Sequence, residues 1–350
     1  MKKILFILPN LERGGYQRVF INLIRMLNNQ KYDINLIVTG KGGDLGKHLP
    51  EYINVCFLES SHTLFSLLKV NKIVNKSKPD IVIATSYMVN LVIMLVRVLF
   101  KSTGKSSIWL REPNTPGKSI ALFHKFLLKR LYKYADCILA QTPEMKEHIR
   151  KFYKVSSSKV QVLYNPLDVD FLNKNLQNKD NPFDHDFVNL VAIGRLTRQK
   201  NFNWLIRVFQ LLMTKSENYR LYIIGDGPDR TKLHKEIMNN ELNHNIFLLG
   251  EKTNPYIYLR FADLLVSSSL WEGMPNVVLE SIILGTPVVA MESTPYLNNI
   301  IKEPVNGRVL KEFSIEKMVE SILNYRKYCI DSNLLQFHLK KHDWIEEIEN

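Results

Sequence analysis

The chain has 350 residues, 45% of them hydrophobic, which is enough to fill the cores of two domains and excludes a disordered polypeptide. Residues 1 to 180 carry 28 Lys and Arg against 13 Asp and Glu, whereas residues 181 to 350 carry 19 against 21, so the net excess of +13 comes from the first half and implies an anionic partner, a membrane surface or a nucleic acid. Cys56, Cys137 and Cys329 are too scattered for a disulfide framework or a zinc site and suit a reduced, cytosolic protein.

Lys2 to Leu8 is a compact apolar run closed by Pro9-Asn10. It lacks a small-residue cleavage site, so it reads as a first strand and not as a signal peptide. Gly14-Gly15-Tyr-Gln-Arg18 then opens a helical pattern through Val19, Ile21, Leu23, Ile24 and Leu27. A glycine turn there lets backbone N–H groups approach a phosphate, which makes Gly15 a candidate ligand contact. Strands are predicted at 34–39, 55–58, 81–85, 107–110, 137–140 and 160–163 with helical stretches between several of them, a pattern that argues for a parallel, doubly wound α/β sheet. Met88 to Phe100 is strongly apolar but short of the ~20 residues a membrane span needs and is interrupted by Arg97, so it is predicted to be a core helix. Lys118 to Tyr134 sets Ile120, Phe123, Leu127 and Leu131 on one side with Lys125, Lys129, Arg130 and Lys133 around them. That is a basic amphipathic helix lying on an anionic bilayer, or an ordinary surface helix with a buried stripe. Arg111-Glu112-Pro113-Asn114 follows the fifth strand at the carboxyl end, where ligands of such sheets bind, so Arg111, Glu112 and Asn114 are candidates to line an acceptor or sugar site.

Residues 166–187 show no apolar period and read as an interdomain linker. Asp168-Val-Asp170 and Asp184-His-Asp186 look like metal-binding pairs, but their place in the linker makes turn and capping roles the better reading, and no metal is expected. A second domain over 188–330 opens with a strand at 188–193, the loop Gly194-Arg195-Leu-Thr-Arg-Gln-Lys200-Asn201 and a helix at 202–213. Arg195 and Lys200 bracket a strand's carboxyl end, where two cations can neutralise a diphosphate and hold a developing negative leaving group. Leu221 to Gly227 is a strand with a glycine turn containing Gly225, and 246–250 is a further strand.

The segment 263–290 reads strand, loop, helix, strand: an apolar run ends in Ser267-Ser268-Ser269, a helix starts near Pro275, and Gly285 and Pro287 stop it before Val288-Val289-Ala290. Two carboxylates, Glu272 and Glu280, frame the helix start. Eight residues at ~1.5 Å rise separate them by roughly 12 Å, more than the about 5 to 9.5 Å of a hydrolase pair. A long ligand fits better: a diphosphate on the helix N-terminus, with a sugar and a ribose offering hydroxyls to an acid at either end.

Glu272-Gly-Met-Pro-Asn-Val-Val-Leu-Glu280 resembles the E-x7-E signature of the retaining glycosyltransferases of family 4, which have the GT-B fold. The loop Gly194 to Asn201 is similar to that family's diphosphate-binding loop, Gly14 to Arg18 to its GGxER loop with Gln17 in place of Glu, and Asn306-Gly307-Arg-Val-Leu to its NGxL turn. The resemblance covers nearly the whole chain. It implies two Rossmann-like domains facing a cleft: an acceptor domain over 1–165, a nucleotide-sugar domain over 188–330, and a tail over 331–350 that crosses back to the first domain, with Trp344 as its anchor. It also implies Glu272 at the donor sugar, Glu280 on the ribose, Gly225 near the nucleotide, and the backbone of Gly273, Met274, Pro275, Asn276 and Val277 around the diphosphate. Many members carry a His near the donor sugar where this chain has Arg111, and Asn298-Asn299-Ile-Ile stands where many have Glu-Ile-Ile; capsule and lipopolysaccharide transferases often show a loop like 111–114 instead.

The expected reaction is transfer of a hexosyl group with retention of configuration from a nucleotide sugar, UDP-linked for preference, with Arg195, Lys200 and Glu272 as the catalytic residues and no required metal. The expected acceptor is a saccharide or a polyprenyl-diphosphate-linked saccharide in surface polysaccharide assembly, met at the inner face of the cell membrane. Two rivals remain: a GT-B epimerase acting on a UDP-sugar, which needs an acid/base the sequence does not show, and a basic nucleic-acid-binding protein, which needs stacking aromatics or a recognition helix.

Overall fold

The computed structural model describes every residue except 13, 28–29, 102, 118–119, 168, 178–179, 328–341 and 350. Among these, strands rich in Val, Ile and Leu pair in parallel to form two sheets, as expected of runs buried on both faces. One contains β1 (Lys2–Leu8), β2 (Tyr32–Val38), β3 (Asn54–Phe57), β4 (Ile81–Thr85), β5 (Ser107–Arg111), β6 (Cys137–Ala140) and β7 (Val160–Val162) in the order β3-β2-β1-β4-β5-β6-β7. The other contains β8 (Val188–Ile193), β9 (Tyr219–Ile224), β10 (Ile246–Gly250), β11 (Leu264–Ser267), β12 (Val288–Met291) and β13 (Gly307–Leu310) in the order β10-β9-β8-β11-β12-β13. Each order reverses beside its first strand, so each sheet has a switch point, between β1 and β4 and between β8 and β11, where the loops leaving neighbouring strands diverge and open a crevice.

The chain divides into two compact units, Met1–Leu167 with Lys340–Asn350, and Asp168–Leu339. In the first, alternation along β1 sends Leu5 and Ile7 into one core and Ile4, Phe6 and Leu8 into another. The former core packs under α2 (Leu67–Ser77), α3 (Tyr87–Leu95), α4 (Leu122–Leu131) and α5 (Pro143–Tyr153); the latter packs under α1 (Gly15–Met26) and the terminal helix. The second unit carries α6 (Val169–Leu176), α7 (Phe202–Met213), α8 (Arg230–Asn239), α9 (Tyr256–Phe261), α10 (Asn276–Ile283), α11 (Leu297–Ile300) and α12 (Ile315–Leu323). The terminal helix, α13 (His342–Glu349), belongs to the first unit: Trp344 is buried there and its indole N–H donates to the Tyr164 carbonyl at 2.8 Å.

Several local expectations are corrected. Residues 166–187 are not featureless, because α6 forms within them: Leu172 is buried and Phe171 meets Tyr256 of α9 edge-on at 6.2 Å, so two apolar side chains suffice to dock one short helix. The stretch 307–310 is a strand, not a turn, since pairing with β12 gives its backbone groups partners. The apolar helix 88–100 ends at Leu95 and continues as a wider π turn, Val96–Phe100. The basic helix is shorter than 118–134: it spans Leu122–Leu131 with a 3-10 turn after it, and residues 118 and 119 lie outside the described ones. Cys56 and Cys137 are free thiols, and Cys329 lies outside the described residues. No helix among the described residues is long and apolar enough to cross a membrane.

Candidate active site

In the second unit, the loops after β8, β9 and β11 leave the same carboxyl edge from adjacent strands, so three segments far apart in sequence converge at the switch point. Their convergence depends on absent side chains. Gly225 has φ +136°, and a Cβ there would lie 2.0 Å from the Gly194 carbonyl oxygen; one at Gly227 would lie 2.4 Å from that of Leu196. The loops after β8 and β9 therefore touch backbone to backbone. A Cβ on Gly194 would in turn meet Lys200 Cε at 2.6 Å, so the lysine stem runs directly over that glycine.

Lys200 Nζ pairs with Glu272 Oε1 at 2.6 Å, with the two side chains only 22% and 11% exposed. Gln199, which the sequence alone does not single out, ties the two loops together: its side-chain amide donates to the Trp271 carbonyl at 2.8 Å and to Glu272 Oε2 at 3.3 Å, and its backbone carbonyl accepts from Leu270 N–H at 2.8 Å. Ser268 Oγ donates to the Lys200 carbonyl at 2.7 Å. Glu272 is thus held from both sides.

Immediately after it the chain turns into α10. Gly273, Met274 and Pro275 are buried, Asn276 and Val277 are half-buried, and no side chain caps the helix start and no acid stands in its first turn. An anion at that end would complement the helix dipole and the amide donors. Glu280 lies in the second turn, 5% exposed among Val278, Leu279 and Ile282. The structure therefore brings Gly194, Lys200, Gly225 and Glu272 together, with Gly273 to Val277 leading from Glu272 to the helix that carries Glu280. Arg195 occupies the same loop as an exposed residue.

Among the described residues, no three His, Cys, Asp or Glu side chains gather so as to hold a metal ion. Asp168 lies outside them, while Asp184 accepts from the Asp186 N–H at 3.2 Å and pairs with Arg220 at 2.9 Å, which is turn chemistry.

In the first unit α1 begins at Gly15 without a side-chain cap. Gln17, which stands where glutamate is usual, is buried and donates to Asn10 Oδ1 at 2.7 Å, fastening the loop that follows β1. The candidates after β5 need correction. Arg111 and Glu112 are 1% and 2% exposed, interior residues and not surface lining; Asn114 alone of the three is partly exposed. Arg111 Nη2 donates to Asn165 Oδ1 at 2.6 Å, and burial lowers its guanidinium to about 9. Glu112 accepts from the Tyr132 hydroxyl and, at 3.1 Å, from that of Tyr153, whose ring stacks on Tyr132 at 3.9 Å. Gln141 donates to the Glu112 carbonyl at 2.6 Å and accepts from Asn165 at 3.1 Å. The network joins β5, β6 and α5, a polar cross-tie legible in the sequence only as unplaced Tyr, Asn and Gln.

Burial pushes Glu112 up to about 7 against the opposing hydrogen bonds from the tyrosines. A carboxyl whose folded pKa is raised stabilises fully below its unfolded value and loses that contribution as pH rises through the folded one. The melting temperature of the wild type is therefore expected to fall between pH ~5 and ~8 more steeply than that of Glu112→Gln, which has no proton to lose. Parallel melting curves would remove the assignment.

At 35% identity over 238 residues, covering 64% of this chain and 58% of the relative, the chain is similar to an uncharacterized glycosyltransferase of Methanocaldococcus jannaschii. It is 26% identical over 309 residues, 83% of this chain and 81% of the relative, to the N-acetylgalactosamine-N,N'-diacetylbacillosaminyl-diphospho-undecaprenol 4-alpha-N-acetylgalactosaminyltransferase of Campylobacter jejuni. In fold it is similar to Anabaena HepE, crystallised in complex with UDP and glucose, with a TM-score of 0.81 at 16% identity over 100% of this chain and 98% of that one. The family model for glycosyl transferases group 1 matches residues 173–327 and that for glycosyltransferase family 4 matches residues 13–171, so the chain belongs to the group 1 and family 4 glycosyltransferases and has their GT-B fold.

Proposed function

We propose that the protein is a retaining, metal-independent hexosyltransferase that takes its sugar from a UDP-sugar and passes it to a polyprenyl-diphosphate-linked saccharide during surface polysaccharide assembly at the inner face of the membrane. The observation that carries the reading is the Lys200–Glu272 pair, held by Gln199 beside the uncapped start of α10. The Campylobacter relative is named for an undecaprenol-diphosphate acceptor and HepE was crystallised with UDP, which supports the choice of substrates.

In this reading the diphosphate lies over the N–H groups of Gly273 to Val277, with Lys200 and Arg195 on its oxygens, and Gly225 leaves room for the nucleotide. The bond from the anomeric carbon to the β-phosphate oxygen breaks, and the electron pair leaves with UDP. Lys200, Arg195 and the helix end stabilise that charge as it develops. Glu272 orients the sugar hydroxyls and Glu280 those of the ribose. The acceptor hydroxyl bonds to the anomeric carbon on the face the phosphate vacates, and its proton passes to the departing phosphate oxygen. Asn114, the partly exposed one of the three candidates after β5, meets the acceptor.

The test is a product assay with UDP-hexoses and an undecaprenyl-diphosphate-linked saccharide, read by proton NMR at the new anomeric centre. An α-linked product from an α-linked donor, one UDP released per transfer and an unchanged rate in EDTA are expected. A β-linked product would overturn retention, and loss of turnover in EDTA would overturn metal independence.

A further inference from the structure

The helices α2, α3 and α4 follow β3, β4 and β5, so their first turns emerge at the carboxyl edge of the first sheet. α3 is almost wholly buried, with α2 and its preceding turn Thr63–Ser66 packed on it, and α4 packed on it as well. The apolar residues of the flanking segments divide in two. Leu64, Leu67, Leu127, Leu128 and Leu131 turn into the core. Phe65 and Leu68 stand 73% and 67% exposed, and Leu122, Phe123 and Phe126 stand 84%, 68% and 53% exposed. Phe65 lies in the turn before α2, Leu68 in the first turn of α2, and Leu122, Phe123 and Phe126 in the first two turns of α4, all toward the carboxyl edge of one sheet. A scattered apolar side chain on a surface is ordinary, whereas several large ones gathered at one edge mark a place that meets something apolar.

The charge around them has one sign. Between Glu59 and Asp136 the chain carries thirteen Lys and Arg but only two acids, Asp80 and Glu112; of these residues Arg111 and Glu112 are buried. On α4, Arg130 lies 4.6 Å over the Phe126 ring, and Lys125 and Lys129 lie 5.0 and 4.6 Å from that of Phe152. Arg130 thus sits on one of the exposed apolar side chains, and Lys125 and Lys129 share their helix. A nucleic acid would use those cations but leave leucines in water; a partner with both an apolar interior and an anionic surface satisfies both.

We infer that Phe65, Leu68, Leu122, Phe123 and Phe126 form a two-segment insertion surface for an anionic lipid bilayer, with Lys125, Lys129 and Arg130 on the lipid phosphates. The basic helix is then half of the surface, and the turn before α2, which shows no basic amphipathic pattern of its own, is the other half. The inference deepens the proposed function and rests on it for its purpose: the inserted edge is the edge where β1, β4 and β5 end, so a polyprenyl-linked acceptor would present its head group there without leaving the membrane.

Sedimentation of the full-length chain with phosphatidylcholine vesicles containing about one third phosphatidylglycerol, against pure phosphatidylcholine, tests it. Binding to the anionic vesicles is expected, weakened by salt, and Phe65→Ser/Leu68→Ser and Phe123→Ser/Phe126→Ser should each lower the partition coefficient about ten-fold, with the four-site variant near background. Because all four side chains are exposed, unchanged melting curves are expected alongside. Equal binding by the four-site variant overturns the surface, and no effect of Phe65→Ser/Leu68→Ser overturns its two-segment form. Stronger retention on single-stranded DNA than on vesicles, abolished by the same substitutions, would assign the face to nucleic acid instead. Donor binding and transfer to a soluble saccharide, measured without vesicles, report on the proposed function alone, so either reading can fail while the other stands.

Discussion

Lys200→Met is expected to lower kcat about 100- to 1000-fold while leaving the protein folded and the donor KM within a few-fold. Methionine keeps an unbranched stem to lie over Gly194, where a Cβ would already be within 2.6 Å of the lysine, and removes only the charge. In the ligand-free protein that charge is engaged by Glu272 at 2.6 Å. In the proposed site the diphosphate competes with that carboxylate for the ammonium, which shifts part of its hydrogen bonding to the diphosphate on donor binding. Because charge on the leaving oxygens grows as the glycosidic bond breaks, the lysine is worth more in the transition state than in the ground state, and the loss falls on kcat. The substitution leaves Glu272 without its cation but still hydrogen-bonded by Gln199, at a cost of about 1–2 kcal/mol, small enough to leave the protein folded. Lys200→Arg is expected to recover only part of the rate, since it restores the charge but not the compact ammonium. A kcat for Lys200→Met within three-fold of the wild type would remove the leaving-group role from Lys200.

The two parallel sheets were legible because β1, β4, β8 and β11 are buried on both faces and therefore written as unbroken apolar runs, a pattern that survives reading one residue at a time. The loops after β8 and β11 were legible as loops from their glycines and prolines, and as a candidate site through their resemblance to the family 4 motifs. What the sequence hid were relations between segments. Gln199 looks like any loop residue until Trp271 and Glu272 are beside it, because its two donors serve a loop more than seventy residues away. Arg111 and Glu112 were read as site lining because charged residues after a strand usually face outward; partners from elements not adjacent in sequence, among them Tyr132, Tyr153, Gln141 and Asn165, satisfy part of their hydrogen bonding inside. Likewise α6 and β13 escaped notice because each is short and takes its stability from a neighbour, Tyr256 in one case and β12 in the other, and not from its own periodicity.

Glu280→Gln is expected to produce the opposite kinetic split: a Kd for UDP raised about ten-fold, equivalent to 1.4 kcal/mol, with kcat changed less than about two-fold. Glu280 is 5% exposed in the second turn of a helix whose neighbours Val278, Leu279 and Ile282 are core residues. In the proposed site its carboxylate accepts hydrogen bonds from the ribose hydroxyls. Glutamine keeps the shape and one acceptor oxygen but loses the charge, and hydrogen bonds to charged groups are the stronger kind. A purely structural role would also weaken binding, through lower stability, so the measurement must separate the two. The separation comes from the ligand side: 2′-deoxy- and 3′-deoxy-UDP delete one hydroxyl each. If Glu280 holds the ribose, at least one deoxy analogue binds the wild type about ten-fold more weakly than UDP does, and Glu280→Gln no longer distinguishes that analogue from UDP. Discrimination of equal size in both proteins would leave Glu280 as a structural residue of α10 and detach the second carboxylate from the donor.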